Sequence, residues 1–216
     1  MTETQRSYLP AAGRDWALPL YDPFVKLLGG DSARRALIDQ AGLTSGVRIL
    51  DVGCGTGTMA VLIKRLHPDV SVVGLDPDPK ALARARYKAE REKLSIPFDC
   101  GFSDTLPYPD HSFDRVFSSL MYHHLPSREK PKTLAEVRRV LRPGGSFHLL
   151  DFEGPDEHKH GILDHLFHTN ERLRENSQVR VVSLLQECGF ANAQKIDHRR
   201  LFFGPIAYYR ASVPAQ

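Results

Sequence analysis

The chain has 216 residues, 41% hydrophobic and 25% charged, a composition of folded globular proteins rather than disordered ones. Its net charge is +3, from 29 lysines and arginines against 26 acids, too mild for a committed nucleic-acid binder. Apolar runs stop well short of the ~20 residues of a membrane helix, so no transmembrane segment is expected.

Cys54, Cys100 and Cys188 form no CxxC and no even pairing set, which argues against a zinc ribbon or a disulfide framework. Met1 to Pro10 lacks the basic-then-apolar pattern of a secretory leader. Together these features predict a cytoplasmic protein.

The opening stretch carries Pro10, Gly13, Pro19 and Pro23 among Tyr8, Trp16 and Tyr21, and proline's fixed φ and missing donor predict an irregular arm. Asp31 is a candidate N-cap for a helix over 32–41, stopped by Gly42. From residue 47 strand and helix patterns alternate. Strands are expected over 47–52, 70–75, 96–100, 113–119 and 146–152, with helices over 58–66, 80–93 and 128–141 between them.

Short apolar strands separated by helices imply right-handed crossovers and a mainly parallel sheet. A helix over 178–188, capped by Ser177 and stopped by Gly189, then leads to two further strands over 190–197 and 201–211, read as an antiparallel pair. The expected fold is α/β: a doubly wound, Rossmann-like, seven-stranded, mostly parallel sheet with an antiparallel last strand. One domain over 1–216 is expected. It divides into an arm and helix over 1–44 acting as a lid, a core over 45–152, a substrate-side insertion over 153–176 and a C-terminal unit over 177–216.

The strongest chemical signal is Ile49-Leu50-Asp51-Val52-Gly53-Cys54-Gly55-Thr56-Gly57, placed between a strand and a helix. Glycines there let a ligand lie against backbone. A dinucleotide fingerprint needs its third glycine at position 58, which is Thr58, and no phosphate loop ending in Gly-Lys-Ser/Thr is present. An acid at the strand end, Asp51, suits a cationic amine better than a pyrophosphate. The second strand ends in Gly74-Leu75-Asp76, where a carboxylate can accept two hydrogen bonds from a ribose diol. A ribose-bearing ligand with a positive end and no phosphate fits this pattern, and S-adenosylmethionine (SAM) is such a ligand.

The glycine run, Asp76, Leu106-Pro107-Tyr108-Pro109-Asp110-His111-Ser112-Phe113-Asp114, His123-His124-Leu125 and Leu141-Arg142-Pro143-Gly144-Gly145 stand in this order. Together they resemble the class I SAM-dependent methyltransferases, and within them the small-molecule branch that includes the ubiquinone/menaquinone C-methyltransferases. The resemblance implies that Asp51 meets the methionine amino group, that Gly53, Gly55 and Gly57 make room for the methionine and ribose, and that Cys54 is a small packing residue in the same loop. It implies that Asp76 holds the ribose hydroxyls with Pro77 against adenine, and that Ser118, Ser119 and Met121 line the methionine side. Gly101-Phe102-Ser103 stands where the family has Gly-Asp-Ala. Either Phe102 covers adenine while Ser103 or Asp104 makes the polar contact, or cofactor binding is weaker.

His123 and His124 are the candidate proton acceptors, since an imidazole titrates near neutrality. Tyr21 is a candidate cofactor or substrate contact. His158, His160, His165 and His168 with Asp164 are read as a solvated helical face, and no metal is expected.

These features predict methyl transfer from SAM to a small, partly apolar metabolite such as a quinone precursor or lipid headgroup. A protein or RNA methyltransferase and a non-catalytic SAM-binding protein are the alternatives. No nucleic-acid partner is expected, and the oligomeric state stays open.

Overall fold

A computed structural model describes residues 30–154, 178–201 and 204–215. The elements in chain order are α1 (Gly30–Gln40), β1 (Arg48–Val52), α2 (Thr58–Leu66), β2 (Ser71–Asp76), α3 (Pro79–Arg91), β3 (Phe98–Cys100) and β4 (Phe113–Ser119). A single 3-10 turn over Tyr122–His124 leads to α4 (Lys130–Val140) and β5 (Leu141–Phe152). After them come α5 (Gln178–Glu187), β6 (Ala191–Leu201) and β7 (Gly204–Ser212).

The strands form a seven-stranded sheet in the order β3-β2-β1-β4-β5-β7-β6. Pairs β1–β2, β1–β4, β2–β3 and β4–β5 are parallel. β7 lies antiparallel to both β5 and β6. The expected doubly wound sheet with an antiparallel last strand is what forms, and the last strand sits inside the sheet with β6 on the edge.

Alternation along the strands divides the core into two layers. Ile49, Val72, Phe117 and Leu150 pack under Leu37 and Ile38 of α1, Ile63 of α2 and Leu82 and Ala85 of α3. Their neighbours Leu50, Val116 and Leu149 face Leu134 and Val137 of α4 and Val181 and Leu185 of α5. β1, β2, β4 and β5 are therefore buried on both faces, which is why they read as continuous apolar runs, whereas the edge strand β6 is largely exposed.

Helix ends follow local chemistry. The Asp78 side chain accepts from Lys80 N at 2.9 Å, with Pro79 in the first turn, so α3 starts one residue earlier than expected. Lys93, at φ 55, ends that segment. Gly189, at φ 82, stops the chain after α5 as expected.

One boundary differs more. Leu141-Arg142-Pro143-Gly144-Gly145 is read from sequence as a helix end and turn, whereas Leu141 is already extended and pairs with Phe113. The five residues form an irregular start to β5, with a register shift between Phe113 and Arg115. Gly144 N and Gly145 O bond Val213 O and N, so β7's continuation takes up the groups the turn would have left free. A Cβ on Gly145 would stand 2.8 Å from Arg142 O, so only glycine fits there.

The Leu106–Asp114 loop is held mechanically. Arg139 donates to Leu106 O, Tyr108 O, Asp110 and Glu136. Asp114 accepts from Arg48 N at 2.7 Å and from Arg142 at 2.8 Å, tying β1, β4 and β5 together.

Among the described residues no helix is long and apolar enough to cross a membrane. Tyr21, most of the expected 1–44 lid, the histidine-bearing segment with Asp164, and the Ser177 cap lie outside the described residues.

Candidate active site

The chain runs from β1 outward through β2 to β3, then returns to place β4 on the other side of β1. That reversal opens a crevice at the carboxyl ends of the strands. A cavity of about 370 Å³ occupies it. Asp51 and Gly53 reach it from the end of β1, Asp76 and Pro77 from β2, Phe102 and Ser103 from the segment after β3, and Ser119, Leu120 and Met121 from β4.

The glycine loop is pinned across β2. Gly53 N and Cys54 N both donate to Leu75 O, at 2.8 and 3.0 Å. Gly55 N donates to Asp76 Oδ2 at 2.8 Å and Asp78 N to Asp76 Oδ1 at 2.9 Å. Each Asp76 oxygen thus has one backbone donor and a second lone pair open to a ligand. Burial raises the Asp76 carboxyl above its usual range, and the two backbone donors oppose that rise.

Asp51 is different. It is 1% exposed, and neither carboxylate oxygen has a hydrogen-bond partner among the described residues. Burial pushes its carboxyl up to about 7, with the Arg34 guanidinium pulling the other way. A buried carboxylate without donors is costly unless a cation meets it. Asp51 faces the cavity with Arg34 of α1, itself only 6% exposed, on the cavity wall as well. An acid and a base lining one cavity, the base also 3.7 Å from Asp31, complement the ammonium and carboxylate of an amino acid.

The loop glycines have distinct roles. At Gly53, with φ 69, a Cβ would lie 2.2 Å from Met121 Cγ, so the bare Cα lets the β4 end close over the loop. Gly57 does not line the cavity. A Cβ there would meet Ala85 at 2.7 Å and Phe98 at 3.0 Å, so Gly57 serves the packing of α2 against α3 and β3. Cys54 lines the cavity, and burial, followed by the nearby Asp51 and Asp76 charges, pushes its thiol well up, so it is a packing group rather than a nucleophile.

The two adjacent histidines part company. His124 lines the cavity beside Leu125 and Pro126, whereas His123 does not. His123 donates its backbone N–H to Asp151 Oδ2 at 2.8 Å, and its Nδ1 lies 2.5 Å from Asp151 Oδ1. Ser118 is buried at 2% exposure off the cavity, while the neighbouring Ser119 lines it. Among the described residues no cluster of histidine, cysteine, aspartate or glutamate could hold a metal ion.

A methyltransferase domain family matches residues 49–145. An uncharacterized methyltransferase of Synechocystis sp. is 30% identical over 189 residues, covering 83% of this chain and 84% of that protein. The chain belongs to the class I methyltransferases. A demethylmenaquinone methyltransferase of Deinococcus radiodurans is 40% identical over 152 residues, 69% of this chain. The match spans less than two thirds of that relative's length, at 62%. Among solved structures, the phosphoethanolamine N-methyltransferase 2 of Haemonchus contortus, in complex with phosphomonomethylethanolamine and S-adenosylhomocysteine, superposes with a TM-score of 0.81 at 17% identity. It covers 99% of this chain and 61% of that one, a likeness of fold.

Within this methyltransferase fold, several wall residues are not among those the sequence motifs singled out. Arg34, Thr56, Thr58, Met59, Leu120 and Glu129 all line the cavity. Thr56 and Thr58 sit inside or beside the glycine run, where their spacing could have marked them. Lys88 of α3 donates to Thr58 Oγ1 at 2.8 Å, a contact between residues 30 apart in sequence. Arg34 is brought in only by the packing of α1, which no local pattern encodes.

Proposed function

We propose that the chain transfers a methyl group from SAM to a small, partly apolar metabolite. One observation carries the cofactor reading: a buried carboxylate, Asp51, faces the cavity with both oxygens unpartnered, and a second, Asp76, keeps one lone pair open on each oxygen. The donor set fits a ligand with an ammonium and a ribose diol. Asp51 takes the ammonium, Arg34 the carboxylate and Asp76 the ribose hydroxyls. Pro77 and Phe102 flank the base, with Ser103 and Asp104 at its rim. Gly53, Cys54, Gly55, Ser119 and Met121 enclose the chain between them. When bound, the cofactor supplies a methyl group activated by a sulfonium.

What the protein does is bind and orient. Leu120, Met121, Leu125 and Pro126 give the acceptor end of the cavity an apolar wall, which excludes water and favours loss of charge at the reacting centre. His124, on the same wall, accepts the proton that the acceptor atom sheds. The relatives named as demethylmenaquinone methyltransferases support a quinol-type acceptor. The three cysteines are free of disulfides, which supports a cytoplasmic setting.

Calorimetric titration of SAM into the wild-type chain, Asp51→Ala and Asp76→Ala tests the cofactor reading. Each substitution is expected to weaken binding about tenfold or more. Unchanged affinity in both variants, or no binding to the wild type, overturns it. Transfer of labelled methyl into a cell extract, sorted into lipid, small-molecule, protein and RNA fractions, tests the acceptor. Label confined to protein or RNA rules out a metabolite.

A further inference from the structure

Asp151 ends the buried run of β5 and is 1% exposed, yet it does not reach the cavity. Three donors converge on it: His123 N at 2.8 Å, His123 Nδ1 at 2.5 Å and Phe152 N at 2.7 Å. A carboxylate only accepts, so Nδ1 carries the proton in this bond. Asp151 therefore fixes both the backbone of the 3-10 turn and the ring orientation of His123.

The His123 ring in turn stands between two others. Its centroid is 3.9 Å from that of His124, and the Phe152 ring meets it edge-on at 4.8 Å. His124, the outer ring, is the one on the cavity wall. The chain thus runs carboxylate, inner histidine, outer histidine, cavity, with contacts from end to end.

We infer that Asp151 and His123 are positioning residues that hold His124 as the proton acceptor of the methylation. The inference rests on the transferase reading above. As the acceptor atom bonds to the methyl carbon, the electron pair of the broken carbon–sulfur bond stays on sulfur, and the acceptor's proton passes to a ring nitrogen of His124. A base displaced by about 1 Å can lose on the order of a hundredfold in rate. Of the two adjacent histidines, only the one braced from behind needs to touch the acceptor.

The test uses the full chain carrying ring-labelled histidine, with S-adenosylhomocysteine bound and a ring-demethylated naphthoquinol as acceptor probe. Asp151→Asn is expected to shift the His124 ring resonances and to lower kcat about tenfold to a hundredfold. The acceptor KM and the affinity for S-adenosylhomocysteine should stay within about twofold, the pattern of a lost transition-state contact. The double variant Asp151→Asn/His124→Gln should be no slower than His124→Gln alone, because residues acting as one unit are not additive.

Unmoved His124 resonances, or additive losses, overturn the inference. Should Asp151→Asn not fold, His123→Gln, at a side chain 11% exposed, carries the same comparison. A wild-type chain that fails to bind S-adenosylhomocysteine sinks the cofactor reading, and one that binds it but leaves the naphthoquinol unmethylated sinks that acceptor. In either case the His124 resonances of the variants still decide the positioning chain.

Discussion

Burial raises the Asp51 carboxyl to about 7, and this has a sign for stability as well as for binding. A carboxyl whose folded pKa lies above its unfolded value contributes stability that is complete below about 3.8 and is lost as pH rises through about 7. Asp51→Asn removes that loss. In the absence of cofactor the variant should melt above the wild type at pH 8, by up to roughly 4 kcal/mol, and the gap should close towards pH 4. Thermal melts across that range check it. The same substitution should weaken SAM binding, so one residue trades fold stability for a ligand site. Gly53→Ala combines a left-handed backbone with a Cβ 2.2 Å from Met121, so it should destabilise by about 2 kcal/mol. Gly53→Ala/Met121→Ala should recover part of that cost, which denaturant melts would register.

At the scale of elements, β5 carries His148 among buried side chains, its Nε2 2.9 Å from Ser146 Oγ and its ring stacked on Phe117. Burial, with the charges of Arg210 and Arg115, lowers its pKa to about 3. A histidine held neutral contributes stability above about 6.5 that is lost as pH falls towards 3. His148→Gln should therefore unfold at a lower pH than the wild type in an acid titration followed by circular dichroism.

Strands buried on both faces were legible as apolar runs, and the Gly189 stop as punctuation, because those signals are local. Asp31, expected as the N-cap of α1, instead lies inside its first turn because the helix already begins at Gly30. The start of β5 was not, since proline and two glycines read as a turn while the partner that makes them a bulge, Val213, lies far along the chain. Asp51 and Asp76 stood out because glycines and strand ends flank them. Arg34 and the Asp151–His123 bond did not, because each depends on two distant elements meeting. Nor does an adjacent histidine pair reveal which ring turns inward.

At the scale of the whole molecule, the cavity lies where α1, the glycine loop and the ends of β2 and β4 meet, so a ligand there bridges both core layers. A ligand that binds only the folded chain stabilises it by mass action. SAM at about 100 times its Kd should add roughly 2.7 kcal/mol, visible as a rise in melting temperature that grows with SAM concentration. The rise should be smaller in Asp51→Ala at equal concentration.

The placement of β7 between β5 and β6 has a consequence in time. As the polypeptide leaves the ribosome, β6 emerges first and finds no open neighbour: its only partner in the finished sheet is the strand still to be made. The first five strands can pair as they appear, whereas β6 must wait, its polar groups in water, until β7 slides in beside β5 and offers it an edge. Docking of the last two strands is therefore a single late event, and a released chain truncated before residue 204 should hold a five-stranded sheet with β6 open to protease.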